Sequence, residues 1–179
     1  MTDRLTSASR FLAYVLRHRP DAVDLTLDEG GWVDVEVLLA ALARHGSPVT
    51  RQVLADLVAG TDKQRFELHA GRIRAAQGHS IAVDLRLEPV VPPPLLYHGT
   101  VARHLPGIRA DGLRARGRTH VHLSVDRETA TAVGARRGDP VVLTVDAAGM
   151  HRHGFVFYRA VSGVWLTDHV LPGWIGEPA

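Results

Sequence analysis

Hydrophobic residues recur at helical spacing in three segments of the first half of the chain. The first predicted helix covers residues 5–17, and its apolar positions are Leu5, Phe11, Leu12, Val15 and Leu16. A second helix is predicted to begin after the capping residue Asp34 and to end at Gly46. A third is predicted between a Thr50 cap and Gly60. These three patterns predict a helical core for the first half.

After the third predicted helix, hydrophobic and polar residues alternate one by one instead of recurring at helical spacing. The segment RFELHAGRIRAAQG reads as two strands joined by a turn at Ala70 and Gly71. A short extended piece at Trp32 and Val33 precedes the second helix. Three helices followed by a small hairpin is the outline of a winged helix, a common nucleic-acid-binding module.

The second half of the chain is richer in predicted strands. Short helices are predicted in VARHLPGIRADGL and in DRETATAVGARRG, where Asp126 is the expected cap. The predicted strands are LLYHGT, HVHLSV, PVVLTVDAAGM, GFVFYRA and GVWLTDHV. The second half is therefore predicted to be a mixed lobe dominated by a β-sheet, and the chain as a whole to be α+β.

Four prolines separate the two patterns: Pro89, Pro92, Pro93 and Pro94. Proline continues neither a helix nor a central strand, so these residues predict a stiff, extended linker. The predicted domains are an N-terminal lobe over residues 1–88, a linker over 89–94 and a C-terminal lobe over 95–179.

Composition limits the class of protein. The 179 residues are 45% hydrophobic and 22% charged, which is typical of a soluble globular protein. The sequence has no run of about 18 apolar residues, no secretory apolar region near its start and no cysteine. We therefore expect a cytoplasmic protein that does not enter a membrane.

The positive charge is almost entirely arginine, because Lys63 is the only lysine and the formal net charge is +2. Arginine makes planar, two-pronged contacts to phosphate, although a base-composition bias in the coding DNA explains the same enrichment equally well. The eleven histidines show no spacing typical of a metal site, so no metal is predicted. Dinucleotide, Walker and nucleophile-elbow motifs are also absent from the sequence.

One group of candidate residues lies in the first half. Arg17 and His18 end the first predicted helix, and Arg65 begins the first strand of the hairpin. Together they suggest an anion site. The alternatives are ordinary helix capping by Arg17 and a cross-strand ion pair of Arg65 near Glu67.

A second group lies in the predicted strands of the second half. His98, Gly99 and Thr100 end one strand, where a glycine would let a planar ligand reach the backbone. His122 and Ser124 are predicted on a neighbouring strand. Alternatively, both histidines are buried structural residues bonded to backbone carbonyls.

Taken in order, several motifs resemble those of the RNA 2′-phosphotransferase family, from about Ser9 to Trp174. They are FLAYVLRHRP, LDEGGWVDVEVLL, DKQRFEL, RIRAAQGHS, LYHGT, VHLS, VGARRGDPVVL and GVWLTD. The resemblance implies a winged-helix-like N-terminal lobe and an ADP-ribosyltransferase-like C-terminal lobe with a mixed β-sheet. One departure is Ala76, which stands where the family usually has asparagine.

The resemblance also implies catalytic residues and a reaction. The family's essential Arg-His-Arg-Arg set corresponds to Arg17, His18, Arg65 and Arg136, with Arg137 adjacent to the last. NAD is the implied co-substrate. An internal 2′-phosphate of a tRNA-like RNA attacks its nicotinamide ribose and expels nicotinamide. The RNA-2′-phospho-ADP-ribose intermediate then gives 2′-OH RNA and ADP-ribose 1″,2″-cyclic phosphate.

The family pattern implies the cofactor-binding residues as well. The nicotinamide ribose is expected against His98, Gly99 and Thr100, with His122 and Ser124 nearby. Gly112 and Leu113 are the candidates for the adenosine side. We expect a monomer.

Two other functions fit the same sequence. The NAD lobe could ADP-ribosylate terminal phosphates of RNA or DNA and stop there, in which case a capped strand would be the product. Alternatively, the first lobe could be a DNA-binding regulator, which would bind duplex DNA and ignore NAD.

Overall fold

The computed structural model describes residues 2–59 and 64–176. The chain divides into two compact units, Met1–Arg86 and Leu87–Ala179. The proline-rich residues 89–94 form no helix and belong to the second unit. The N–H of Val90 donates to the carbonyl of Phe157 at 2.8 Å, and Pro89 forms a bridge with Tyr158. Gly60 and Lys63 lie outside the described residues.

Three α-helices form most of the first unit: α1 (Thr2–Arg17), α2 (Val35–Arg44) and α3 (Arg51–Ala59). Local capping explains where two of them begin. The Asp34 carboxylate accepts the N–H groups of Glu36 and Val37 at the start of α2, and the Thr50 hydroxyl accepts the N–H of Val53 at 3.2 Å. Both caps confirm the prediction.

The hairpin of the first unit is also confirmed. Strands β2 (Phe66–His69) and β3 (Arg72–Ala75) pair antiparallel, and β1 (Val33–Asp34) pairs with the other edge of β3. Ala70 and Gly71 both have positive φ, 48° and 76°, as a tight two-residue hairpin turn requires. The apolar faces of helices and hairpin form one core, which includes Leu12, Val15, Leu16, Leu38, Leu42, Leu54, Phe66 and Ile73.

The second unit alternates short helices and strands. Its helices are α4 (Leu105–Asp111), α5 (Arg127–Gly134) and α6 (Ala147–Arg152). Its strands are β4 (Leu95–Val101), β5 (Leu113–Arg114), β6 (Val121–Leu123), β7 (Pro140–Asp146), β8 (Tyr158–Arg159), β9 (Trp165–Thr167) and β10 (His169–Val170). A separate core lies between them and includes Leu96, Leu123, Leu143, Val145, Met150 and Phe157.

The strands of the second unit form small antiparallel sheets. β4 pairs with β7, β9 lies between β6 and β8, and β5 pairs with β10. A bridge between Tyr97 and Ser124 joins β4 to the end of β6. The α+β class is confirmed, but a sheet of mixed strand direction is not seen among the described residues. Parallel neighbours need a crossover that returns the chain in the same direction, and each paired strand here runs opposite to its neighbour.

Several predicted strands are shorter than expected: HVHLSV keeps only Val121–Leu123, and GVWLTDHV is divided into β9 and β10. The strand that starts at Pro140 ends at Asp146, because the Asp146 carboxylate accepts the N–H of Gly149 at 2.8 Å and caps α6. In the GFVFYRA segment only Tyr158 and Arg159 are in a strand. None of the described helices is both long enough and apolar enough to cross a bilayer.

Candidate active site

The end of α1 holds Arg17 against the segment that follows the hairpin. Its main-chain carbonyl accepts the N–H of Ser80 at 2.9 Å, and its guanidinium Nη2 donates to the carbonyl of Arg65 at 3.4 Å. Gly78, with a φ of 87°, lies beside the guanidinium: a β-carbon there would come within 3.6 Å of Nη1. Arg17 therefore does more than cap α1.

His18 and Arg65 are held in the same cluster. His18 Nδ1 lies 2.9 Å from the Ser80 hydroxyl. The Arg65 guanidinium donates to the buried hydroxyl of Ser9 at 3.1 Å, and the Arg65 carbonyl accepts the N–H of Ala76. The structure thus brings Arg17, His18 and Arg65 together at one end of the first unit. Ser9, which fixes Arg65, carried no signal in the sequence.

Other arginines of the hairpin have structural partners. Arg74 donates to both carboxylate oxygens of Glu67 across the hairpin and lies over the Trp32 ring. Arg72 pairs with Asp28 at 2.7 Å. The alternative prediction of an ion pair between Arg65 and the Glu67 region is wrong, because Glu67 lies opposite Arg74 in the hairpin register.

His79, whose ring lies near this cluster, is buried, with 1% of its surface exposed. Neither ring nitrogen has a hydrogen-bond partner in the part of the chain that the structure describes. Burial, followed by the charges of Arg17, Arg74 and His18, lowers the pKa of His79 to about 4. At neutral pH the His79 ring is therefore a neutral imidazole close to positively charged groups.

In the second unit, the HGT and HLS motifs are adjacent, as predicted. Tyr97 and Ser124 exchange two backbone hydrogen bonds, and His98 Nδ1 lies 3.1 Å from the carbonyl of His122. Because a carbonyl can only accept, Nδ1 of His98 carries the proton and Nε2 carries a lone pair in the neutral ring. Thr100 is buried and its hydroxyl lies 3.3 Å from His104 Nδ1.

Burial lowers the pKa of His98 from its ordinary value. The bond to the His122 carbonyl acts in the opposite direction, and the nearby charges of Arg137, Arg118 and His104 lower the pKa further. His98 is therefore a neutral side chain in a basic environment.

The glycines predicted to contact a ligand are required by the fold. A β-carbon on Gly99 would overlap the Ala130 carbonyl of α5, so this glycine allows the helix to approach β4. Gly112 has a φ of 76° and faces the Val170 carbonyl of β10. Leu113 is 3% exposed and packs in the core. The fold therefore accounts for both glycines without a ligand, and the contacts of Gly99, Gly112 and Leu113 with NAD stay predictions.

Arg136 lies in the second unit, in the 3-10 helix Ala135–Arg137 that follows α5, and is exposed. Arg118 was not singled out from the sequence, yet its Nη1 lies 3.2 Å from His122 Nδ1. Burial, Arg137 and Arg136 lower the pKa of Arg118. The only sequence signal for Arg118 is its place four residues before His122.

Comparison with known proteins identifies the family. The model of the RNA 2′-phosphotransferase, Tpt1 / KptA family matches residues 3–169. The chain belongs to the RNA 2′-phosphotransferase family. Three relatives named probable RNA 2′-phosphotransferase are similar over nearly their whole length. The protein of Streptomyces coelicolor is 60% identical over 177 residues, covering 99% of this chain and 97% of the relative.

The other two relatives give the same result. The Streptomyces griseus protein is 56% identical over 178 residues, covering 94% of each chain. The Pseudomonas aeruginosa protein is 50% identical over 176 residues, covering 97% of each. The family predicted from the eight motifs is thus confirmed.

Proposed function

We propose that this member of the RNA 2′-phosphotransferase family moves an internal 2′-phosphate from a tRNA-like RNA to NAD. The products are nicotinamide, 2′-OH RNA and ADP-ribose 1″,2″-cyclic phosphate. One observation of the structure supports this most directly. Arg17, His18 and Arg65 are fixed in one hydrogen-bonded cluster at the end of α1. The relatives of the chain are named probable RNA 2′-phosphotransferase.

The first unit supplies the phosphate-binding groups. Guanidinium groups bind phosphate oxygens through paired N–H donors. Here Ser9 orients Arg65, and the Arg65 carbonyl orients Arg17. A phosphate is already an anion near neutral pH, so it needs no carboxylate base to act as a nucleophile. Positioning of this anion is then the main contribution of Arg17, His18 and Arg65.

Residues of the second unit fit a dinucleotide. His98 offers a neutral Nε2, and Thr100 and Ser124 offer hydroxyls. Arg118 and Arg137, whose charges act on His98, suit a pyrophosphate. NAD would supply a ribose carbon with nicotinamide as its leaving group. The protein would hold that ribose with His98 and Thr100, and we keep Gly99, His122 and Ser124 as further proposed contacts.

Arg136 is proposed to act when the phosphate leaves the RNA. Negative charge then increases on phosphate oxygens, and fixed guanidinium groups stabilise it without reorganising. His18 is proposed to donate a hydrogen bond to the phosphate or to transfer a proton, since its Nδ1 is positioned by Ser80. Arg137 is the neighbouring alternative to Arg136.

A direct assay tests the proposal. The protein is incubated with NAD and a short RNA that carries one internal 2′-phosphate, and both products are measured by mass. We expect 2′-OH RNA and ADP-ribose 1″,2″-cyclic phosphate. RNA that keeps its phosphate would contradict the proposal. A stable ADP-ribosylated strand, especially from RNA with only terminal phosphates, would favour the alternative of terminal ADP-ribosylation.

Two variants test the residue roles in the same assay. Arg65→Ala and Arg136→Ala are expected to slow the second step about 100-fold or more and to accumulate RNA-2′-phospho-ADP-ribose. Arg10→Ala is the control, because Arg10 is an exposed residue of α1. A variant that turns over at the wild-type rate would remove its arginine from the proposed set.

A further inference from the structure

A cavity of about 360 Å³ lies beside the hairpin of the first unit. The loop that precedes β1 and strand β3 supply most of its wall, which includes the half-buried ring of Trp32, three arginines and two carboxylates. This volume falls in the range of pockets that hold a small ligand. The proposed reaction uses none of these residues.

Two of the cavity arginines are held in place by other residues of the first unit. Arg72 pairs with Asp28 at 2.7 Å. Arg74 pairs with Glu67 at 3.0 Å, and its guanidinium lies 4.6 Å from the centre of the Trp32 ring. Because these contacts fix the wall in advance, a ligand that binds here orders few further side chains.

Other groups at the cavity are open. The indole N–H of Trp32, the carboxylate of Glu29 and the guanidinium of Arg86 have no hydrogen-bond or ion-pair partner among the residues that the structure describes. The main chain of Arg86 is fixed, with a φ of 50° and its N–H donating to the Asp84 carboxylate at 2.8 Å. Gly30 leaves the indole edge uncovered, since a β-carbon there would lie 3.5 Å from the indole nitrogen. The cavity therefore offers two donors and one acceptor beside an aromatic ring.

This combination of groups favours a planar, uncharged ligand over an anion. Asp28 and Glu29 both line the cavity, and their carboxylates would repel a phosphate. A nucleobase is planar, and its edges carry both hydrogen-bond donors and acceptors. Unpaired bases of RNA are bound by aromatic side chains and arginines together with such polar groups.

The cavity adjoins the segment that contacts the phosphate-binding residues. A β-carbon on Gly31 would come within 3.6 Å of His79 Nε2, and the next residue, Ser80, donates its N–H to the Arg17 carbonyl. Across the hairpin, Arg65 is bonded to the residue that follows β3, about 7 Å along the strand from the nearest cavity arginine. About two stacked nucleotides, at about 3.4 Å each, span that distance. A base close to a 2′-phosphate bound at Arg17 and Arg65 therefore reaches the cavity.

We propose that this cavity binds an unpaired nucleobase of the RNA, close to its 2′-phosphate. The base contacts the open edge of the Trp32 ring. Arg86 donates to a ring nitrogen or carbonyl of the base, and Glu29 accepts from one of its N–H groups. The inference rests on the proposed function, which it deepens by adding a base-binding site to the first unit.

Equilibrium binding of two short RNAs to the full chain tests the inference. Both RNAs carry one internal 2′-phosphate and the same charge, but in the second the neighbouring nucleotides are abasic. Wild type should bind the complete RNA about 5- to 100-fold more tightly, the range expected for one stacked base. Trp32→Ala should bring this ratio close to one. Glu29→Ala and Arg86→Ala should each lower it about fivefold or more, while the affinity for the abasic RNA stays at the wild-type value.

The matched controls are Arg44→Ala and Asp56→Ala, at exposed positions of α2 and α3, which should keep the wild-type ratio. Equal binding of both RNAs by wild type overturns the inference. A wild-type ratio in folded Glu29→Ala and Arg86→Ala also overturns it, including the case in which both affinities fall together. If Trp32→Ala does not fold, these two variants decide.

The same pair of RNAs without the 2′-phosphate distinguishes this inference from the proposed function. A preference for the complete RNA that Arg86→Ala lowers would support the base-binding cavity even if wild type failed to transfer a 2′-phosphate. Normal transfer by wild type, with equal binding of complete and abasic RNAs, would instead leave the function intact and remove the cavity from it.

Discussion

The protonation state of the buried residue His79 is determined by its neighbours. His79 lies in the segment that contacts the end of α1, and a β-carbon on Gly31 would come within 3.6 Å of its Nε2. With Arg17 and Arg74 nearby, a protonated ring would add a further buried positive charge. The fold therefore favours the neutral ring, and this preference depends on pH.

We expect His79 to make the protein sensitive to acid. The unfolded chain binds this proton near pH 6.5, whereas the folded protein binds it near pH 4. Unfolding is therefore favoured as the pH falls from about 6.5 to 4. The free energy of unfolding should decrease by about 3 kcal/mol over that range through this group.

Denaturant unfolding at pH 7 and pH 4.5 measures this effect in wild type, His79→Phe and His79→Asn. Both variants should lose less stability on acidification than wild type, whatever their stability at pH 7. His151→Gln, at an exposed position of α6, is the control and should follow wild type. Equal acid sensitivity in wild type and both His79 variants would contradict the assignment.

Helix α5 and strand β4 illustrate packing between elements. Gly99 of β4 and Gly134 of α5 allow the two backbones to approach, since a β-carbon on Gly134 would lie 2.8 Å from the Thr100 carbonyl. This contact places the helix that leads to Arg136 directly on the strand that carries His98. A packing requirement thus accounts for a glycine in a motif that we propose to contact NAD.

We expect Gly99→Ala to destabilise the second unit by about 3 kcal/mol or more, because the added carbon overlaps the Ala130 carbonyl and the backbone must move. Gly173→Ala is the control, since a β-carbon there meets nothing within 4 Å; it should change stability by less than about 0.5 kcal/mol. Thermal unfolding compares the two. A Gly99→Ala protein as stable as wild type would mean that α5 lies farther from β4.

Two hydrophobic cores organise the whole molecule, one in each compact unit. The proposed phosphate-binding residues Arg17, His18 and Arg65 belong to the first unit. His98, His122, Arg118 and Arg136 belong to the second. A core of its own is what a domain needs to fold independently.

The separate fragments test this division. Residues 87–179 should unfold cooperatively and bind ADP-ribose, whereas neither this fragment nor residues 1–86 alone should transfer a 2′-phosphate. Circular dichroism during heating, calorimetric titration and the product assay measure the three properties. A fragment 87–179 without a cooperative transition would show that its core depends on the first unit, and phosphate transfer by either fragment would contradict the proposed roles.

Local features of the fold were predictable because their causes lie close by in sequence. The Asp34, Thr50 and Asp126 caps act on N–H groups two or three residues away. The turn at Ala70 and Gly71 connects directly adjoining strands. The strand at Pro140 was predicted too long because its apolar pattern continues into Ala147 and Met150, which α6 buries in the same core.

The sequence alone determined the family, the helix caps, the hairpin and the candidate set that includes Arg17, His18 and Arg65. Only the tertiary structure showed that Arg74 is paired with Glu67 and that Arg118 lies beside His122. It also showed that α5 requires Gly99. The reason is physical: capping and periodicity act within a few residues, whereas burial, charge repulsion and close packing depend on groups that are far apart in the chain.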